Sequence, residues 1–287
     1  MAESDIQSWT LNGAENQTIF GDTHRPIGES IGAVILCHGF KGYKDYGFFP
    51  YLAQQFADSG FVAHRFNFSH SGMTNNIETF ERADLFEQDT WGKQHYDLLA
   101  VTAAVRDGRL AGQGVPIVWF GHSRGGLTTL TAAGQVGESR QPDGIIAVSS
   151  PDRANNLLPE QEALLKAESY LVSPSSRTGQ QLRIGSEWLE EIEQAGERFD
   201  PCAAVKKIIC PLMLIHGTDD QTVSAETSRK ITDNASRARL VVVPGADHVF
   251  GAPNPMPIDT EPPAHTCQMA RLCTMFLTGV ADRSQAD

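Results

Sequence analysis

The chain has 287 residues, 40% of them hydrophobic, enough for a sizeable buried core; against a prior of roughly 150 residues per domain, we expect one long α/β domain with an insertion. Its 35 acidic and 23 basic side chains leave a formal charge of −12 with no Lys/Arg cluster, which argues against nucleic acid and other polyanionic partners. No stretch approaches the ~20 apolar residues that cross a bilayer, and residues 1–8 lack the basic-then-apolar order of a secretory signal, so a cytoplasmic location is expected.

Apolar runs alternate with helical patterns along the chain, as in a doubly wound fold. Residues 17–24 read as an amino-terminal strand, 33–38 as a core strand, 47–59 as a helix closed by Gly60, and 61–68 as the next strand. Residues 84–107 read as one long helical stretch. The run Pro116-Ile117-Val118-Trp119-Phe120 is a strand, and after Gly121-His122-Ser123-Arg124-Gly125 a small-residue segment, 126–134, begins a helix. Residues 144–150 form a further strand. From 151 to 201 the strand pattern stops, and helical, Ser-rich and charged segments replace it until Pro211 restarts the core, which predicts a cap inserted between the sixth and seventh strands. Residues 211–217 and 240–243 supply the last two strands. The five cysteines, Cys37, Cys202, Cys210, Cys267 and Cys273, are odd in number and scattered, and read as reduced residues without a disulfide framework. No metal-ligand spacing is present, so neither a metal nor another cofactor is expected.

The glycines two before and two after Ser123 are what a strained strand-to-helix turn requires, since larger residues would obstruct its close packing. Such a turn lifts the serine hydroxyl out of the sheet and points the amide groups and positive dipole of the following helix at an anion formed there. An acid, Asp220, follows the strand ending at Gly217, and a histidine, His248, follows the strand ending at Val243. Ser, Asp and His thus appear in that order, each beyond the carboxyl end of a strand, where open α/β sheets place their sites. Asp220 rather than Asp219 is assigned as the acid, because it stands three residues after Gly217 in His216-Gly217-x-x-Asp220-x-x-Val223. The strand 33–38 leads into His38-Gly39-Phe40, so the backbone amides of Phe40 and Arg124 are the expected oxyanion donors.

With these residues the chain resembles the α/β-hydrolase superfamily. The segments from His38 to Asp45, Arg65 to Gly72, Gly121 to Gly126 and Gly245 to Gly251 are similar to bacterial serine esterases grouped with feruloyl and cinnamoyl esterases, serine aminopeptidase-like and dienelactone hydrolase-like proteins. The likeness runs over about residues 15–280. A dienelactone hydrolase proper carries cysteine at the elbow, where this chain has Ser123. The resemblance implies a mostly parallel sheet flanked by helices, with a cap over the active site. Asn67 and Ser69 stand where many relatives carry Asp and Arg.

The expected chemistry is two-step acyl transfer by Ser123, His248 and Asp220 on carboxylic esters of small to medium acyl groups, aromatic ones included. The alternative is an acyl-CoA thioesterase or a serine aminopeptidase with the same triad; a third reading is a catalytically silent binding module. Dispersed charges in the cap favour an uncharged or singly charged ester over a nucleotide thioester. Of the cap's apolar residues, Tyr170 and Trp188 are the candidate substrate contacts, and Phe80, Phe86 and Trp91 form a second candidate wall. His122 and Arg124 flank the nucleophile, and Arg124 is open to two roles, pinning the elbow through a carboxylate or contacting substrate. Lys41, Lys44 and Asp45 read as a solvated turn, and Asp84, Asp89 and Asp97 as helix-face charges. The expected partners are a small-molecule ester and, as the candidate assembly, a second copy in a homodimer, with no nucleic acid and no membrane.

Overall fold

Residues 5–284 are described in a computed structural model. In chain order its strands are β1 (Ile6–Asn12), β2 (Thr18–His24), β3 (Gly32–Cys37), β4 (Phe61–Asn67), β5 (Ile117–His122), β6 (Gly144–Val148), β7 (Tyr170–Pro174), β8 (Gln181–Gly185), β9 (Leu212–Gly217) and β10 (Ala238–Val243). Its helices are α1 (Phe49–Asp58), α2 (Ala83–Glu87), α3 (Trp91–Arg106), α4 (Arg124–Ala133), α5 (Pro159–Glu168), α6 (Ser186–Gln194), α7 (Pro201–Ala204), α8 (Ala225–Asp233) and α9 (Ala264–Ser284). Eight strands make one sheet in the order β1-β2-β4-β3-β5-β6-β9-β10. From β4 to β10 the neighbours are parallel, whereas β1 pairs β2, and β2 pairs β4, antiparallel.

The strands β3, β5, β6 and β9 are apolar over most of their length because both faces of the sheet are covered, whereas the equally buried β4 carries His64, Arg65 and Asn67. Along β3 successive side chains alternate between two cores, as the two-residue period of a strand dictates. Val34 and Leu36 join Phe49, Leu52 and Phe56 of α1 and Met269, Cys273 and Leu277 of α9 on one face. Ala33, Ile35 and Cys37 join Leu98, Val101 and Val105 of α3, Leu130 of α4 and Ile231 of α8 on the other. At roughly 1.5–3 kcal/mol for each fully buried large apolar side chain, these two clusters are the main stabilising term.

Three expectations are corrected. The stretch 84–107 is two helices: α2 stops at Glu87, and α3 restarts after Thr90, whose side chain caps it by accepting from Lys93 N. The segment 151–201 does contain strands, since β7 and β8 pair as a small antiparallel sheet of their own between α5 and α6. It leaves the main sheet after β6 and returns to it at β9. Lastly, β1 escapes a reading by periodicity, because it is a mostly exposed edge strand that pairs with β2 alone.

Candidate active site

Ser123 lies between β5 and α4 with φ 54° and ψ −121°, a left-handed backbone that a non-glycine residue adopts only under strain. The surrounding structure holds it there: its amide donates to Val148 O of β6 at 2.8 Å. A Cβ on Gly121 would collide with the carbonyl of Gly125, and one on Gly125 would collide with the carbonyl of Cys37, so both glycines are set by close backbone approach. Gly39 meets Ser123 from the loop after β3, where even a Cβ would sit only 3.2 Å from the serine Cβ.

Asp220 follows β9. One carboxylate oxygen, Oδ1, accepts from the amides of Thr222 (2.9 Å) and Val223 (2.8 Å), which orients the group. The other, Oδ2, accepts from Nδ1 of His248 at 2.8 Å and lies 3.2 Å from Nε2 of His216. Burial pushes the Asp220 carboxyl up, but hydrogen bonds from His216, His248 and Val223 outweigh it and hold the group well below the usual carboxylate range. Asp219 is exposed and, among the described residues, its side chain accepts from its neighbour, Thr218 Oγ1, alone. Of the two acids, Asp220 is therefore the one brought to His248.

Two further histidines belong to this assembly, His216 from the motif of the acid and His122 from beside Ser123, and their contacts leave no sign in the sequence. His216 is fully buried; its Nε2 donates to Val223 O at 2.9 Å and its Nδ1 accepts from Ser228 Oγ at 2.7 Å. His122 donates from Nε2 to His248 O at 2.8 Å, with its ring edge-on to Phe48 and 4.9 Å from the His248 ring. Burial pushes His122 down to about 3, so it stays neutral and braces the His248 loop.

The loop after β3 carries Phe40 and is pinned from behind. His38 donates from Nδ1 to Gly39 O (2.9 Å) and accepts at Nε2 from Phe68 N (3.3 Å), with burial holding it neutral at about 4. Lys44 and Asp45 are not a solvated turn. Lys44 Nζ lies 2.6 Å from Asp22 Oδ2 and 2.8 Å from Asp45 Oδ2, and Arg65 pairs with both acids. Asn67 accepts from Lys44 N at 2.6 Å and donates to Thr74 O at 2.7 Å, and so ties two loops together. Ser69 N donates to the buried Asp97, which also accepts from Ala14 N. Asp97 is thus an internal anchor and not a helix-face charge; only Asp84, paired with Arg82 at the surface, fits that description.

A cavity of about 440 Å³ opens beside Ser123. Its walls come from the loop after β3 (Phe40), from the start of α4 (Arg124), from α3 (Trp91) and from the cap (Leu157, Ile184, Trp188). Trp188 thus lies on the cavity wall. Tyr170 is absent from that wall, and its ring is covered by Arg183 at 4.2 Å. Phe80 and Phe86 pack with Tyr43, Met73 and Leu182, reaching the site indirectly through the Phe86–Phe40 ring contact at 5.5 Å. Asp89 is also not a surface charge, since it is buried and its Oδ2 lies 3.0 Å from Nη2 of Arg124. Burial lifts Asp89 to about 6 in spite of that neighbour.

Among the described residues, no helix is long and apolar enough to cross a membrane. Among curated proteins, the chain is 29% identical over 99 residues to uroporphyrinogen decarboxylase of Mycobacterium leprae, matching 34% of this chain. The chain spans about a quarter (26%) of the length of the curated relatives it matches. The solved structures agree far more broadly. Est1E of Butyrivibrio proteoclasticus with ferulic acid bound is similar at a TM-score of 0.70 and 18% identity, with 93% of this chain and 97% of that one covered. Dienelactone hydrolase of Anabaena variabilis is similar at a TM-score of 0.62 and 17% identity, with 96% and 98% covered. At such identities the likeness is one of fold. A family model described as the alpha/beta hydrolase family matches residues 34–260. With the sheet order, the turn at Ser123 and that match in agreement, the chain belongs to the alpha/beta hydrolase family.

Proposed function

We propose that the protein is a serine hydrolase that cleaves carboxylic esters of small to medium acyl groups, aromatic ones included. The observation that carries this reading is the 2.8 Å hydrogen bond from His248 Nδ1 to Asp220, at the same sheet edge as the strained turn of Ser123. An imidazole that donates from Nδ1 has Nε2 free to accept the serine proton.

In this mechanism His248 takes the proton of Ser123 as Oγ attacks the ester carbonyl carbon. The tetrahedral oxyanion accepts from the amides of Phe40 and Arg124, the second at the first turn of α4, where the helix dipole adds to the donor. Collapse breaks the bond to the alcohol, which leaves with the proton held by His248. Water then gives a proton to His248, attacks the acyl-enzyme and releases the acid, and the proton returns to Ser123. Asp220, held ionised by its hydrogen bonds, stabilises the imidazolium in both halves. The apolar and aromatic lining from Phe40, Trp91, Leu157, Ile184 and Trp188 suits an acyl or aryl group.

The test is Ser123→Ala. On p-nitrophenyl esters it is expected to lower kcat by about 10⁶-fold, and a fluorophosphonate is expected to label Ser123 and no other residue. Retention of more than a few per cent of the activity overturns the reading.

A further inference from the structure

His216 is a second imidazole on the acid. It stands near the end of β9, fully buried, and its ring joins three neighbours. Nε2 donates to Val223 O at 2.9 Å; a carbonyl only accepts, so the ring proton sits on Nε2, and Nδ1 accepts from Ser228 Oγ at 2.7 Å. Beside that N–H, 3.2 Å from Nε2, lies Asp220 Oδ2, the same oxygen that accepts from Nδ1 of His248. Burial pushes the Asp220 carboxyl up, and His216 leads the contacts that bring it down.

A buried histidine between a hydroxyl and a carbonyl is often no more than packing. His64 of β4 is just as buried and meets Thr23 Oγ1 and Ala111 O, each at 2.9 Å. Among the described residues no carboxylate pairs with it, and the histidines that do have such a partner are His70, His216 and His248.

His216 differs in where its partners lie. Asp220 Oδ1 accepts from the amides of Thr222 and Val223, which fastens the turn after the acid on one side. His216 takes the carbonyl of the same Val223 and so fastens it on the other. Ser228, its third partner, belongs to α8, and the nearby Ser224 and Thr227 line the Ser123 cavity together with Val223. One ring therefore joins the end of β9, the turn of the acid and the helix beside the cavity wall.

We propose that His216 is a positioning residue for the reaction at Ser123: with its Nε2–H between Val223 O and Asp220 Oδ2, it fixes the turn of the acid and holds the carboxylate on Nδ1 of His248. It touches neither substrate nor the reacting atoms and acts through Asp220. This inference rests on the serine-esterase reading above.

The experiment is a double-mutant cycle on p-nitrophenyl butyrate, with every rate expressed per active site titrated to completion by a fluorophosphonate, so that misfolded protein does not count. His216→Phe and His216→Leu both remove the donor and differ in the space they fill. Each is expected to lower kcat by about tenfold or more with KM within about twofold, because a small displacement of a reacting group is costly to rate and leaves substrate binding alone. His216→Gln, whose side-chain amide can carry an N–H close to the place of Nε2, is expected to stay within about threefold of the parent. In an Asp220→Ala background both apolar variants are expected to cost less than about a further threefold, since no carboxylate is left to hold. His64→Leu is the control, expected to lower the melting temperature and leave kcat per titrated site unchanged. Equal losses with and without Asp220, a loss in only one of the two apolar variants, or a His216→Gln enzyme as impaired as His216→Phe overturns the inference. So does a kcat within about threefold of the parent in both apolar variants. Each of these results leaves the esterase reading standing while Ser123→Ala is inactive, whereas activity that persists in Ser123→Ala defeats that reading.

Discussion

At the scale of single residues, Asp219 and Asp220 are neighbours with the same side chain and different surroundings. Asp220 is fixed by two amides and faces His248, whereas Asp219 faces solvent. Asp220→Asn is expected to lower kcat by about 10⁴-fold, because an amide no longer holds the imidazole in the accepting tautomer, and Asp219→Asn to change it by less than about threefold. Steady-state kinetics on the two variants decides the point, and a larger loss at Asp219 reverses the assignment. Ser123, Asp220 and His248 were legible in the sequence because the residues beside them are constrained: glycines forced by backbone contact, and β-branched runs that mark where each strand ends. Asp89, His122 and His216 were not legible. What makes each of them matter is a partner brought close by the fold, Arg124 for Asp89 and the His248–Asp220 pair for the histidines. Tyr170 failed for a related reason, since an aromatic in a cap has two faces and sequence does not say which one Arg183 covers.

At the scale of elements, the loop after β3 owes its position to charges that lie beneath it. Asp22 of β2 is buried and accepts from Lys44 (2.6 Å) and Ser8 (2.7 Å), with Arg65 of β4 at 3.0 Å. Burial pushes its carboxyl up, but Arg65, Lys44 and Ser8 together bring it below its ordinary value. Asp22→Ala leaves two buried cations with Asp45 alone and is expected to destabilise the protein by about 3–5 kcal/mol. Urea unfolding checks this, and a change under about 1 kcal/mol would mean that solvent reaches the network. The strands β3, β5, β6 and β9, buried on both faces, were legible as apolar runs. The strands β1, β7 and β8 were not, since each is partly exposed and none is a continuous apolar run. The break between α2 and α3 depends on the Thr90 cap, a short-range signal easily lost inside a longer helical pattern.

At the scale of the whole molecule, acid stability reflects a contest among buried groups. Burial, the leading cause in every case, pushes His24, His38 and His64 down from 6.5 to about 4 and His95 and His122 to about 3. Unfolding exposes them, so below pH 6.5 the unfolded chain binds protons that the folded chain refuses, and stability is lost as pH falls toward 4. Each histidine contributes a slope of up to about 1.4 kcal/mol per pH unit. Asp89 and Asp97 act in the opposite sense, because burial lifts them to about 6 and about 7, and the folded state binds their protons first. With five histidines against two aspartates, the melting temperature is expected to fall between pH 6 and pH 4. Calorimetry across that range is the check, and a flat or rising profile would show that the histidines are solvated.

The site is drawn from chain segments more than two hundred residues apart, and its last contributor, His248, hangs from β10, an edge strand whose single sheet neighbour is β9. During synthesis Ser123, Asp220 and His248 emerge in that order. A nascent chain that has already formed the Ser123 turn still lacks the His248 loop until β10 docks. On the proposed mechanism, competence for acyl transfer waits for the final strand, and recovery of fluorophosphonate reactivity during refolding is expected to time the closure of the sheet.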